Sequence, residues 1–265
     1  MNGQAARWEL PAAESQVLLS GPETNDDWVL KAALLELLVR GVLRLFPGEH
    51  GRFLRRKVDM VALVSRLEAA HVPTLHAVIS AYAKTQDLAQ GVPVSDLARV
   101  VLMHYRARPR FTGGYVQEVI LPALAERGLF SRESDGRAQL FGAEGWFLTR
   151  SGLEALVALR TMLETARQSF AAWAGSDQAR AGAFIESAGA AVLLLDDVIA
   201  ALPRLREQRT RDRSVATSAA GAFALNSLLG VFGPGTSDGL ESANRVISVR
   251  VDEAWRLLNV GRGGE

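Results

Sequence analysis

The sequence predicts a mainly α-helical protein with small β-hairpins, organised as two tandem winged-helix-like units followed by a helical C-terminal region. Two apolar helices end in Arg-Gly, at 40–41 and 127–128, and each is followed by residues that alternate apolar and polar around a glycine-containing turn. Such alternation is typical of a hairpin, and the order helix, helix, hairpin, helix therefore occurs twice. The predicted units span 1–90, 91–175 and 176–265.

When the two segments are aligned on Arg-Gly, their residues match with a constant offset. The matching pairs are Leu34/Leu121, Leu37/Leu124, Arg40/Arg127, Gly41/Gly128 and Val42/Leu129. Two explanations are open. Either the segment was duplicated, or the same connection from a helix to a strand arose twice independently.

The first unit opens with two helices. Pro11 begins a short helix, and Asn25 or Asp26 caps a longer helix that ends at Gly41. A short polar side chain suits the first position because its oxygen accepts a free amide of the first turn. Glycine suits the last position because it adopts a left-handed backbone without a steric cost. "VLRLF" and "RFLRR" then predict the first hairpin, with its turn at "PGEHG", residues 47–51.

Helices also fill the connection to the second unit and most of that unit. Ser95 is predicted to cap the helix that opens the second unit, and Thr149 or Ser151 the long helix that closes it. "LFSRES" and "GWFLT" predict the second hairpin. The predicted helices cover 58–70, 73–89, 94–107, 115–128 and 152–175.

The C-terminal region is predicted to be helical. Helical patterns run from residue 176 to Pro203, which kinks or ends the last helix. The Ala-rich segment 214–232 is predicted to be a buried or interface helix, since its polar and small side chains dilute its hydrophobicity below that of a membrane span. Small side chains let helices approach closely, so this segment predicts a homo-oligomer. Residues 242–258 predict a final helix, although 245–251 also alternate well enough for a strand.

The composition limits the classes of function. Lys and Arg number 30 and Asp and Glu 29, which gives a formal net charge of +1. Attraction of the whole molecule to nucleic acid is therefore excluded, and only a local basic patch supports such binding. The absence of cysteine excludes disulfides, thiolate nucleophiles and Cys-ligated metals. The first residues lack the pattern of a signal peptide, so we expect a cytoplasmic protein.

The sequence contains no motif for catalysis. Its four histidines, at 50, 71, 76 and 104, include no pair four residues apart, which argues against a metal site. Phosphate-binding glycine loops and nucleophile motifs are also missing. Thr112-Gly113-Gly114 either offers free amides to an anion or forms the turn of a helix-turn-helix. We therefore predict a protein that is not an enzyme and that uses neither a cofactor nor a metal.

Basic side chains gather on the first hairpin and in the turn before the helix at 115–128, and both places suit contacts with phosphates. The candidate anion-binding residues are Arg44, Arg52, Arg55, Arg56, Lys57, Arg106, Arg108 and Arg110. The helix that would enter a DNA groove is mostly apolar. Only Tyr115, Gln117 and Glu118 are suited to read base edges.

"WVLKAALLELLVRGVLRL" resembles the Golgi phosphoprotein 3 family, whose members carry an apolar helix that ends in Leu-x-x-Arg-Gly and enters a strand. "VQEVILPALAERGLF" and "QLFGAEGWFLT" are similar to that family's second segment and the hairpin after it. The resemblance implies a mainly helical, non-enzymatic adaptor that binds phosphoinositide headgroups at membranes. It puts Trp28, beside Lys31, at the place of the family's lipid-site tryptophan.

The sequence departs from that family at two places. The arginines of the family's second segment fall near Gly114 and Gln117 here, so that basic pocket is not reproduced. The family's Pro-Thr-Gly-Asp stretch after the first hairpin is also missing. The same segments resemble the cytoplasmic C-terminal region of a family of predicted bacterial membrane proteins of unknown function. Either resemblance covers roughly residues 11–170.

The sequence thus predicts a non-catalytic interaction or adaptor module. It would bind a protein partner and contact an anionic surface, such as phospholipid headgroups, through the first hairpin, with Trp28 and Lys31 at the interface. The alternative is a winged-helix transcriptional regulator that binds double-stranded DNA through the basic residues of the first hairpin and the turn at 106–110.

Overall fold

A computed structural model of the chain describes residues 8–50, 56–64, 72–83, 90–106, 114–133, 145–199 and 244–249. Its α-helices are α1 (Ala12–Ser20), α2 (Asp26–Val39), α3 (Pro73–Ala83), α4 (Val94–Arg106), α5 (Leu121–Glu126), α6 (Arg150–Ser176) and α7 (Gln178–Ala188). Its strands are β1 (Leu43–His50), β2 (Arg56–Leu63), β3 (Val92–Pro93), β4 (Phe130–Glu133) and β5 (Gly145–Leu148). The predicted class, mainly helical with small antiparallel sheets, is confirmed.

The strands form two antiparallel sheets. β1, β2 and β3 make the first sheet in that order, and β4 and β5 make the second. In the first sheet Met60 and Val61 of β2 pair with Phe46 and Leu45 on one side. On the other side the same two residues pair with β3, which leads directly into α4. The first hairpin therefore receives a strand from the segment that begins the predicted second unit.

The first hairpin is longer than predicted, and two sequence predictions are wrong. Pro47 and Gly48 lie inside β1 rather than in a turn, and residues 58–63 are strand rather than helix. Proline is tolerated in β1 because an edge strand needs no donor on its outer side. Val58, Met60 and Ala62 alternate along β2, and ladders on both of its sides outweigh the helical pattern that the sequence suggested over 58–70.

The two Arg-Gly turns have the same backbone geometry. Gly41 and Gly128 have φ angles of 69° and 71°, as a left-handed helix end requires. The amide of Val42 donates to the carbonyl of Leu37 at 3.0 Å, and the amide of Leu129 to that of Leu124 at 2.9 Å. The prediction that both glycines end a helix and precede a strand is confirmed.

The helix predicted over 115–128 is not uniform. Residues Val116–Ile120 form a π-helical turn before α5, and the amide of Leu121 donates to the carbonyl of Val116. Pro122 explains the irregularity because it has no amide hydrogen and its ring disfavours regular α-helix immediately before it. Ser95 also differs from its prediction: α4 begins at Val94, so the serine lies within the first turn rather than capping it.

Thr149 caps α6, as predicted. Its Oγ1 accepts the amide of Gly152 at 2.9 Å. After α7 the chain continues as a 3-10 helix, Gly189–Leu194. Residues 244–249 are helical, so the strand alternative is wrong for them, and the side-chain amide of Asn244 donates to Asp196 at 3.0 Å.

Helix α1 lies at the centre of the core. Its buried residues are Ala12, Ala13, Glu14, Ser15, Val17 and Leu18, as expected for a helix covered on several sides. One cluster of buried apolar side chains runs from Leu10 to Ile247. Among the described residues, no helix is both long and apolar enough to cross a membrane. Pro203 and the Ala-rich segment 214–232 lie outside the described residues.

Candidate functional site

The cations predicted on the first hairpin lie on both of its faces. Residues directly opposite each other in an antiparallel pair share a face, and alternate residues along a strand do so too. The pairing of Arg56 with His50 therefore places positions 44 and 56 on one face. Lys57 pairs with Glu49 on the other face. Arg44 is exposed, and its guanidinium lies 5.6 Å from the ring centre of Phe46, a distance that allows a cation–π contact.

The other predicted anion-binding residues stay predictions. Arg52, Arg55, Arg108 and Arg110 lie outside the described residues. Arg106 is the last residue of α4. That the two basic groups form one surface therefore stays a prediction.

Trp28 and Lys31 lie on the first two turns of α2. The side chain of Trp28 is 54% exposed, and Lys31 is half-buried. An exposed indole at a helix start suits an interface. The predicted role of this pair stays a prediction.

Sequence analysis missed a buried carboxylate within α2. Both oxygens of Glu36 are used: Oε2 accepts the amide of Ala12 at 2.7 Å, and Oε1 accepts from Nε and Nη2 of Arg40 at 2.8 and 2.6 Å. Burial raises the pKa of Glu36, and the Arg40 guanidinium opposes that rise. The local signal was present, because a charged residue inside the apolar run "ALLELLV" and an arginine four residues later predict a buried pair.

A second buried carboxylate, Glu14 of α1, was also missed. The Nε of Arg127, the arginine of the second Arg-Gly turn, lies 3.1 Å from Oε2. That oxygen has no aligned hydrogen bond, so the contact is an ion pair. The Thr74 hydroxyl donates to Oε1 at 3.3 Å. Burial raises the pKa of Glu14 to about 7, although Arg127 and Thr74 lower it; Glu36 also raises it.

Further hydrogen bonds join the two predicted units. The Tyr115 hydroxyl donates to the carbonyl of Thr74 at 2.7 Å, and burial raises the pKa of that tyrosine. The side-chain amide of Gln117 donates to the carbonyl of Pro22 at 3.0 Å. Together with the Glu14–Arg127 pair, these contacts form a buried polar network that fixes the π-helical turn and α5 against α1 and α3.

Thr112 and Gly113 lie outside the described residues, and close to Gly114 a backbone amide meets an anion of the protein itself. The amide of Val116 donates to Oδ1 of Asp26, the first residue of α2, at 2.9 Å. A Cβ at Gly114 would lie 2.5 Å from Oδ2 of that carboxylate. The carboxylate thus acts as a cap from a distant helix. This contact favours a structural turn over an external anion site at Gly114.

In the part of the chain that the structure describes, the two carboxylates of this network are closed to a substrate, since Glu14 and Glu36 are 0% and 1% exposed. Among the described residues, no group of three or more His, Asp or Glu side chains is placed to hold a metal ion. The network therefore stabilises the packing of the helices, and the candidates for binding are features of the surface.

Four large apolar side chains are exposed around the junction of β5 and α6. Phe147, Leu148, Leu153 and Val157 are 52%, 36%, 55% and 57% exposed. We call these four residues the junction patch. The second hairpin was predicted, but the patch was not, because Leu153 and Val157 continue the apolar pattern of α6 while lying off its buried stripe.

A cleft of about 740 Å³ lies between α1 and α6. Three leucines, Leu19, Leu163 and Leu194, line it together with polar residues of both helices. The polar lining residues are Gln16, Ser20, Arg160, Thr161, Glu164, Thr165, Arg167 and Gln168. Sequence analysis did not find the cleft, since α1 and α6 are far apart along the chain.

A scan against models of known protein families found no match, nor did a search of curated proteins or one of solved structures.

Proposed function

We propose that this chain is a non-catalytic adaptor whose two winged-helix-like units present two separate binding surfaces. The junction patch binds a protein partner. The first hairpin contacts an anionic surface such as phospholipid headgroups.

The junction patch is the observation that carries the proposal. Eight large apolar side chains are exposed among the described residues, and four of them belong to this patch. Single exposed apolar residues are common on protein surfaces, whereas a concentration of them is typical of an interaction site. Leu148 lies beside α6, where a Cβ at Gly152 would be 2.7 Å from it, and Leu153 and Val157 are one turn apart on that helix. This grouping supports docking of another protein.

The charge of the first hairpin supports the second surface. Between residues 43 and 63 the sequence has five Lys and Arg residues and two carboxylates, Glu49 and Asp59. Arg44 and Lys57 are exposed there. Cations on an exposed hairpin attract phosphate headgroups at short range.

Vesicle sedimentation tests the anionic surface. The protein is mixed with phosphatidylcholine vesicles that contain or lack phosphatidylserine, and we expect sedimentation only with the anionic vesicles. Arg44→Glu should weaken binding about tenfold or more, since each basic residue near such a surface contributes about 1 kcal/mol. Arg150→Glu is the matched control because its side chain is 94% exposed and the residue belongs to α6 rather than to the first hairpin.

Two results would count against this part of the proposal. The first is equal sedimentation with both kinds of vesicle, or with neither. The second is tight binding to duplex DNA that weakens steeply with salt and that Arg44→Glu reduces, which would favour the DNA-binding alternative. Homo-oligomerisation through residues 214–232 stays a prediction that light scattering tests.

A further inference from the structure

We propose that the junction patch and the cleft between α1 and α6 form one groove, and that its occupant is an amphipathic helix of a partner protein with a carboxylate opposite Arg160. This inference rests on the proposed adaptor function and names the chemistry of its protein partner.

The patch and the cleft are continuous along α6. Leu153, Val157 and Thr161 follow each other at intervals of four residues, so they lie on one face of the helix. Thr161 also lines the cleft. From Leu153 to Gln168, the last cleft residue of α6, the face extends about 22 Å at 1.5 Å per residue. That length matches about four turns of a docked helix.

The lining of the groove suits a helix with one apolar side. Leu153 and Val157 are exposed at one end, and Leu19, Leu163 and Leu194 line the cleft at the other. Rows of side chains four residues apart pack against the rows of another helix. Between Leu153 and Gln168 the backbone of α6 uses its amides and carbonyls within the helix, so this part of the groove offers no backbone hydrogen-bond partners to an extended peptide.

The charges in and near the groove identify the partner's polar contact. The carboxylates of this stretch already have partners. Glu154 lies 3.2 Å from Arg150, and Glu164 accepts from Gln168 at 2.7 Å and lies 3.9 Å from Arg167. Arg160 is exposed, and among the described residues none forms an ion pair with it. An arginine held beside an apolar surface prefers a bidentate carboxylate. The partner helix therefore carries Asp or Glu at this point.

Site-specific photo-crosslinking tests the occupant. The chain has no cysteine, so Thr161→Cys creates one attachment point in the full-length protein for a benzophenone maleimide. The probes are two synthetic helical peptides with the same leucine face, one flanked by Glu and one by Lys. We expect the Glu peptide to crosslink at about tenfold lower concentration than the Lys peptide.

Variants separate charge from apolar contact. Arg160→Glu should reverse the preference between the two peptides, and Val157→Asp should abolish crosslinking of both. Arg99→Glu should leave the preference unchanged, since that arginine lies on α4 and does not line the cleft. Circular dichroism of each variant checks that it is folded.

Mass spectrometry of the crosslinked product decides between occupants. Equal crosslinking of both peptides, failure of both, or no effect of Arg160→Glu would overturn the inference. A crosslink to a second copy, or to residues 200–243 of the same chain, would overturn it as well. The result of vesicle sedimentation is independent of the crosslinking result, because it tests the first hairpin rather than the groove. If Val157→Asp abolished crosslinking but the Glu and Lys peptides crosslinked equally well, the junction patch would still bind protein, and the acidic helix would be rejected.

Discussion

Replacing Glu14 by glutamine is expected to remove a large part of the pH dependence of stability. Burial raises the pKa of this carboxyl from 4.5 to about 7. A group with a raised pKa in the folded state binds its proton more tightly there than in the unfolded chain. Its contribution is therefore fully present below pH 4.5 and is lost as the pH rises to about 7. At about 1.4 kcal/mol per pH unit, the loss is about 3 kcal/mol.

Glu14→Gln keeps the size of the side chain and resembles the protonated carboxyl, with one acceptor and one donor group, but has no proton to lose. The free energy of unfolding of the variant, relative to the wild type, should therefore rise by about 3 kcal/mol between pH 4.5 and pH 8. The raised pKa of Glu36 acts in the same direction in both proteins, and Glu14→Gln also removes the repulsion between the two carboxylates. Urea unfolding, followed by circular dichroism at several pH values, measures the difference.

Two further variants make the test specific. Glu154→Gln removes a carboxylate that is 69% exposed and paired with Arg150, so its stability curve should stay parallel to that of the wild type. Arg127→Gln leaves the charged form of Glu14 without its cation and should cost more at pH 8 than at pH 5. The cost at pH 8 should stay below the roughly 3–5 kcal/mol typical of a fully buried pair, because 39% of the Arg127 side chain is exposed. Parallel curves for the wild type and Glu14→Gln would refute the reasoning.

Three other substitutions test local geometry by thermal or urea unfolding. Gly114→Ala places a Cβ 2.5 Å from Oδ2 of Asp26 and should lower the free energy of unfolding by about 1–2 kcal/mol through loss of the cap. The control Gly175→Ala has open space around its Cβ and should be neutral or stabilising. Equal effects of the two substitutions would contradict this. Thr149→Ala should cost about 1 kcal/mol and Thr149→Ser much less, since only alanine loses the oxygen that caps α6. Gly128→Ala should cost about 1 kcal/mol because its φ is +71°, and an unchanged midpoint would argue against the left-handed turn.

Local patterns predicted the features that depend on neighbouring residues. The glycines at 41 and 128, the cap at Thr149 and the second hairpin all follow from the preferences of a few adjacent side chains. The strand over 58–63 was missed for the opposite reason. Its apolar residues fit a helix as well as a strand, and the decision depends on pairing with β1 and β3, which no local pattern shows.

The candidate surfaces and the buried polar network depend on contacts across the chain. Glu36 and Arg40 lie one turn apart on α2, so their pairing was visible in the sequence. Glu14 meets Arg127 only after the chain folds, and the cleft between α1 and α6 exists only because both helices pack on the same core. The exposure of Val157 likewise depends on which side of α6 that core covers.

The two Arg-Gly turns have the same backbone conformation, but their arginines make different contacts. Their hydrogen bonds match, but the side chains differ: Arg40 neutralises a carboxylate of its own helix, whereas Arg127 neutralises one on α1. The Arg40–Glu36 pair is local to the end of α2. The Arg127–Glu14 pair instead joins the second Arg-Gly turn to α1, at the centre of the core. Because the second hairpin leads directly from that turn to the junction patch, the Glu14–Arg127 pair also positions the surface that we propose binds a partner. A loss of partner binding in Arg127→Gln, with the vesicle contact preserved, would be expected from this connection.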